Sequence, residues 1–249
     1  MVNNLLLLSG LDIPFLDAQV NIHQPTIKEI SLISEESFHS GCSFLNFSKD
    51  LLPEEDKIGL ENKSDFEIFM SMMNTKEKAQ FKTDTLLLLT LLFPNHSIKF
   101  EPNRIILTNL NLENNPKSFI HLGNYDTFKS IIIDMFCLTP PGKGEGEYNP
   151  ADGFAAKIAA KLKARHDKLK KQHKEKDAPK EIFNLYISIL AVGEQKDINS
   201  LMNYTVYQLT DEFTRYQKKL AYDMHMQAIM AGATDLDEVE YWMDDIHSK

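Results

Sequence analysis

Residues 201–247 read LMNYTVYQLTDEFTRYQKKLAYDMHMQAIMAGATDLDEVEYWMDDIH, and this stretch decides the fold class. Thr205 can accept a backbone N–H bond at a helix start, and Gln208 can reach back from three residues later. Val206, Leu209, Phe213, Tyr216 and Leu220 follow at spacings of 3, 4, 3 and 4. That repeat puts them on one helix face. Asp211, Arg215, Lys218 and Lys219 fall between them and keep the other faces wet. Gly232 can adopt the left-handed conformation that ends a helix. Asp235 with Glu238 reads as a second start. Leu236, Val239, Met243 and Ile246 then repeat at 3, 4 and 3. The expectation is a helical hairpin with an apolar seam.

Working outward, the chain has 249 residues, 43% hydrophobic and 25% charged. That is ordinary for a globular protein with a substantial core. The net charge of -9 disfavours nucleic acid and anionic membrane as partners of the bulk surface. Two cysteines, Cys42 and Cys137, sit in apolar contexts. Two buried thiols in a reducing cytoplasm fit them better than a disulfide. The start, MVNNLLLLSGLDIPF, lacks the basic leader and cleavage site of a signal peptide. The apolar run at 85–93 is too short for a bilayer, which needs about 20 residues, so no membrane association is expected.

Upstream, Leu5–Leu8 and Val20–Ile22 read as two short strands around a Pro14-containing turn. Thr26 with Glu29, and Ser64 with Glu67, form capping boxes. The helix after Thr26 is expected to end or kink at Gly41. Thr75 opens a helix that runs to Leu92, where Phe93-Pro94-Asn95 stops it. Ser97–Phe100, Ile105–Thr108 and Phe119–Leu122 make a small sheet. Asn124 caps the helix carrying Phe128, Ile131, Ile132 and Met135. Asn149-Pro150 starts a long helix, Glu181–Val192 reads as a buried helix ended by Gly193, and Asp197 begins a short helical turn. The class is therefore α+β, mainly α. A small antiparallel β element lies in the N-terminal half, and the C-terminal half is helical. The organisation is an α+β region over 1–137, a Pro/Gly loop over 138–149 and a helical region over 150–249.

The chemistry-bearing patterns are weak. Lysines and an arginine crowd residues 157–176, and Lys161, Arg165, Lys168 and Lys171 represent the basic face. A solvated helix face is the plainer explanation, and an acidic partner fits as well as nucleic acid. No aromatic lies between Phe154 and Phe183 to stack on bases. Gly142-Lys143-Gly144-Glu145-Gly146 lacks the P-loop spacing. His166 and His173 share a helix face without a ligand set for zinc. Adjacent carboxylates such as Glu35-Glu36 do not face one another for acid–base work. No catalytic, cofactor-binding or metal-binding residue is assigned. Methionine is the more telling residue. Met70, Met72, Met73, Met202, Met224, Met226, Met230 and Met243 fall in helical segments. Most fill core gaps, and the rest suit a groove for a partner helix.

Three segments together resemble tailed-bacteriophage tail assembly chaperones. They are Ile22-His23-Gln24-Pro25-Thr26-Ile27-Lys28-Glu29-Ile30, then Glu147-Tyr148-Asn149-Pro150-Ala151-Asp152, then Leu201–Ala233 with the ending Trp242-Met243-Asp244-Asp245-Ile246-His247. The resemblance implies a non-enzymatic protein of the host cytoplasm that binds the tape measure protein, or another phage tail protein, during tail morphogenesis. A homo-oligomer is compatible with it. Met202, Tyr207, Phe213, Tyr216, Met224, Met230, Trp242 and Met243 are the candidate partner-binding residues, taken from the helical C-terminal stretch. The alternative is a structural virion protein of the head–tail or tail region. Nucleic-acid binding through 157–176 ranks below both.

Overall fold

The computed structural model describes residues 2–51, 60, 62–75, 79–138, 181–232 and 241–243. The architecture is α+β and mainly helical, with one two-stranded and one three-stranded antiparallel sheet. A single buried apolar cluster draws on both sides of residues 138–149, from Leu7, Ile22, Phe38, Leu88 and Phe128 to Leu190 and Leu209.

The N-terminal leucine run is a helix, α1 (Asn4–Ser9), and not the expected strand. Local capping decides it. The Asn3 side chain accepts from the Leu5 N–H, and Gly10, at φ 69°, donates its N–H to the Leu7 carbonyl. The strand partner of β2 (Val20–Ile22) is instead β1 (Ile13–Phe15), with Ile13 opposite Ile22 and Phe15 opposite Val20. Pro14 is tolerated inside β1 because a two-stranded ribbon leaves each strand an unpaired edge.

Thr26 and Glu29 form the expected capping box, but the helix they start, α2 (Ile27–Ile30), is one turn long. Ser34, at φ 72°, then starts α3 (Glu35–Leu45). Gly41 does not end that helix, which continues to Leu45. It lies buried against α5 (Gln80–Leu92), where a Cβ would stand 3.0 Å from the Asp84 carbonyl oxygen and 3.1 Å from Leu88. Gly41 is there because two helices touch through it. Ser64 and Glu67 box the start of α4 (Asp65–Asn74) as expected. Thr75, expected to open the next helix, instead follows the end of α4 and donates its hydroxyl to the Met72 carbonyl. The next helix begins at Gln80, and Phe93 ends it as expected.

The predicted sheet is present as β3 (His96–Glu101), β4 (Arg104–Asn109) and β5 (Lys117–His121) in the order β3-β4-β5. Pro102-Asn103 turns between the paired Glu101 and Arg104. Ile105, Leu107 and Ile120 point into the core. Helix α6 (Tyr125–Met135) lies beside them, and Phe128 sits about equally far from Phe15 and Phe93, at 6.0 and 6.1 Å. Asn124 precedes α6 but does not cap it. Its side chain accepts from the His121 N–H and donates to the Phe119 carbonyl, which holds the turn after β5.

The chain is described again from Glu181. Helix α7 (Ile182–Gly193) is capped from far away in sequence. The Glu35 carboxylate, on the first turn of α3, accepts from the Ile182 and Phe183 N–H groups at 2.6 and 3.1 Å. A negative group at a helix N-terminus satisfies orphan donors and the helix dipole together. The helix expected to be buried is so on one face, through Phe183, Ile187 and Leu190. Asp197 caps α8 (Ile198–Met202) as expected. The last helix, α9 (Val206–Met230), starts at the Thr205–Gln208 capping box and gives way to Gly232 at φ 90°. Of the thiols, Cys42 is buried and Cys137, at φ 53°, is exposed, against the expectation of two buried thiols. No helix among the described residues is long and apolar enough to cross a membrane.

Candidate partner-binding surface

Helix α9 is anchored at its root. Thr205 and Thr26 form an isolated antiparallel bridge, and the Ile27 N–H donates to the Tyr204 carbonyl at 2.9 Å. Gln208 Nε2 donates to the Leu8 carbonyl at 2.7 Å. Beside this seam lies a constellation that the sequence did not reveal. His23 Nδ1 is 2.9 Å from Asp12 Oδ1, and its Nε2 is 3.3 Å from the Glu29 carboxylate. Burial disfavours the imidazolium, yet bonding and charge from Asp12 and Glu29 outweigh it and raise the His23 pKa. Burial likewise works against the Glu29 carboxylate. Hydrogen bonds from Thr26 and the pairing with His23 prevail and lower its pKa. The group therefore favours an ion pair at the joint between α2 and the root of α9.

The inner turns of α9 are used up in the core. Val206, Tyr207, Leu209 and Phe213 are buried. The Phe213 ring stacks on Tyr186 of α7 at 3.8 Å and 12°. Tyr216 lies over Gly193, where a Cβ would stand 2.1 Å from the tyrosine hydroxyl. Lys196, in the turn after α7, closes this region. It pairs with Glu212 and with Glu194 and lies 5.7 Å from the Tyr204 ring centre.

Beyond Tyr216 the same face continues with exposed side chains. Leu220 is 44% exposed, Met224 69% and Met230 84%. Ile229 and Met226 are exposed as well. A groove of about 450 Å³ opens here between the Gly193–Lys196 turn and Tyr216, Lys219, Leu220 and Asp223. The chain does return to this helix. Tyr241 meets Tyr222 edge-on with ring centres 5.3 Å apart. The expected second helix of the hairpin otherwise lies outside the described residues.

The sequence-level candidates thus separate. Tyr207 and Phe213 are buried, and Met202 and Tyr216 are half-buried against the core. Met224, Met230 and Met243 are exposed, and Trp242 is half-buried beside Tyr241. The basic-face residues Lys161, Arg165, Lys168 and Lys171, with His166 and His173, lie outside the described residues. The methionines divide in the same way, with Met70 fully buried and Met226 and Met230 in solvent. Sequence reasoning missed Asp223, an exposed residue that lines the groove. Asp223 carried a signal, since it sits one turn after Lys219 on the same flank of the apolar stripe.

The arrangement is a helix whose first turns are rooted in the core and whose later apolar side chains are exposed. The family model of the YomV second domain, a phage-derived family, matches residues 174–247, which include α7, α8 and α9. That match makes the chain similar to a phage protein over this region. No curated protein and no solved structure matches the chain.

Proposed function

We propose that this chain is a phage tail assembly chaperone. It works by binding rather than by bond-making, and it covers apolar segments of the tape measure protein in the host cytoplasm until the tail tube closes round them. The observation that carries this reading is the open outer half of α9, where Leu220, Met224, Ile229 and Met230 face solvent. Unbranched, polarisable methionine adapts to varied apolar side chains without a fixed shape, which suits a long client of changing sequence. The match to a phage-derived domain over the same residues supports it, as does the resemblance of the chain to tail assembly chaperones.

Co-expression with the tape measure protein of the same phage tests the proposal. The client's soluble fraction should rise, and a complex should co-purify. Met224→Glu should weaken the complex by at least tenfold, on the scale of one desolvated contact. No complex at micromolar concentrations overturns the proposal. Mass spectrometry of purified particles gives the second arm. A chaperone is absent or at trace level, whereas stoichiometric amounts favour a structural tail component.

A further inference from the structure

We infer that the outer edge of β5 takes an added strand, an extended acidic segment of a partner protein that pairs antiparallel with Lys117 and Phe119. Strand parity shows which backbone groups are available. The Asn109 N–H donates to the Pro116 carbonyl, which makes Asn109 and Pro116 a bonded pair between β4 and β5. Bonded pairs alternate along an antiparallel ladder, so the next ones are Leu107 with Ser118 and Ile105 with Ile120. Lys117, Phe119 and His121 therefore turn their backbone groups to the outer edge. Asn124 fills part of that edge. Its side chain accepts from the His121 N–H at 2.8 Å and donates to the Phe119 carbonyl at 2.9 Å. The Asn124 N–H donates to the His121 carbonyl. The N–H and C=O of Lys117 and the N–H of Phe119 are left, without a partner among the described residues. A groove of about 510 Å³ runs beside them, lined by Asp17 and Gln19 on one side and by Arg104, Lys117, Phe119 and His121 on the other.

Donors and acceptors in a row on a strand edge are matched by another extended chain. The residue opposite Lys117 exchanges two bonds with it, and the carbonyl of the residue opposite Phe119 accepts the third. Lys117 is exposed and, among the described residues, has no ion-pair partner. A carboxylate on the residue opposite it answers that charge. The carboxylate-bearing wall residue stands elsewhere, since Asn124 Nδ2 reaches the Asp17 carbonyl at 3.5 Å and ties Asp17 to the Phe119–His121 end of the groove. Phe119 is half-buried, with the Arg104 guanidinium 5.0 Å from its ring centre, and gives the residue opposite it an apolar neighbour. An antiparallel occupant therefore carries an apolar residue two positions before an acidic one. A second copy of this chain fits badly. Two β5 strands would set Lys117 opposite Lys117, with like charges together, or Lys117 opposite Phe119, which needs the Phe119 carbonyl that Asn124 holds. β5 lies in the N-terminal region, so this edge is available whether or not α9 holds a tape measure protein.

Amide–solvent exchange in the full chain, followed by NMR, is the test. In the chain alone the Lys117 and Phe119 amides should exchange fast, and those of Ser118 and Ile120 slowly. The probe is the end-capped peptide TVTVTDT, whose central valine faces Phe119 and whose aspartate faces Lys117. With three hydrogen bonds and one ion pair, Kd on the order of 100 µM is expected. At about 2 mM the peptide should then slow exchange at Lys117 and Phe119 by about fivefold or more and leave Ser118 and Ile120 unchanged. Lys117→Glu should weaken binding of TVTVTDT by about fivefold and strengthen binding of TVTVTKT by about as much. Lys117 is exposed, so the melting temperature of this variant should match that of the wild-type chain. Slow exchange at Lys117 and Phe119 before any peptide is added means that the edge is already taken, and overturns the proposal. Exchange that the peptide leaves unchanged overturns it, as does equal affinity of the wild-type chain for the two peptides.

Discussion

The inner and outer halves of α9 share one apolar stripe, from Val206 to Met224, and meet different surroundings. Over Val206–Tyr216 the stripe faces α7, and its rings are stacked or buried. Over Leu220–Met230 the stripe faces water. The stripe runs through the boundary from Tyr216 to Leu220 and Met224 without a break. What changes is that α7 ends at Gly193, directly under Tyr216. The extent of a neighbouring helix, more than the helix's own pattern, decides which part of an amphipathic face becomes core. The inner half should therefore answer to stability measurements and the outer half to binding measurements.

The strongest test of that division is a matched pair of truncations. Phe213→Ala should cost about 3–5 kcal/mol in urea unfolding, because it empties a buried ring site and removes the Tyr186 stack. Met224→Ala, with the same stripe position but in solvent, should change stability by less than about 0.5 kcal/mol. Equal losses at the two positions would break the comparison. Gly41→Ala probes whether the body that holds the inner half is as tightly built as it looks. Its new Cβ would press on a backbone oxygen at 3.0 Å, which cannot swing aside, so a loss of about 1–3 kcal/mol is expected. Unchanged unfolding midpoints for this variant would show that α3 and α5 have slack between them.

What was legible in the sequence follows the range of the interactions involved. The capping boxes at Thr26, Ser64 and Thr205 are each present, because a cap needs only residues within three positions. The three-stranded sheet is also present, since its turns carry their own Pro, Asn and Gly signals. The Leu5–Leu8 run was misread because four apolar residues fit a strand or a helical turn equally, and only the flanking Asn3 and Gly10 decide. Gly41 was misread because its reason is a helix some forty residues away. The Asp12–His23–Glu29 group was invisible for the same cause, as β1 and β2 must pair before Asp12 reaches His23. For the candidate surface, the sequence located the helix and its apolar face. It could not say where coverage stops, because that depends on where Gly193 lands.

A smaller effect sharpens the account of the root. Thr205→Ala removes the hydroxyl that accepts from the Gln208 N–H and should cost about 1 kcal/mol. Thermal melting should show that loss, while association with the tape measure protein through Leu220 and Met224 stays intact. A variant that loses stability and association together would mean the two halves of α9 communicate.

The weakest predicted effect concerns pH, and its sign follows from the two shifts at the root. His23 has its pKa raised above the ordinary 6.5 in the folded chain, so the folded state holds that proton more tightly. Its contribution to stability is complete below 6.5 and is lost as pH rises through the raised value. Glu29 has its pKa lowered below the ordinary 4.5, so its contribution is complete above 4.5 and is lost as pH falls through the lowered value. Both contributions coexist between 4.5 and 6.5, where the joint between α2 and α9 should be firmest. Melting temperature measured across pH should therefore fall on the alkaline side of that window, and His23→Gln should flatten the fall. Because the group sits beside the Thr26–Thr205 bridge, the loosening belongs to the inner half alone. Affinity for the tape measure protein measured at the two ends of the window should not follow it, since His23 lies at the root and the exposed stripe begins at Leu220. An affinity that tracked the His23 titration would join the two halves into one unit and undo the comparison from which these predictions start.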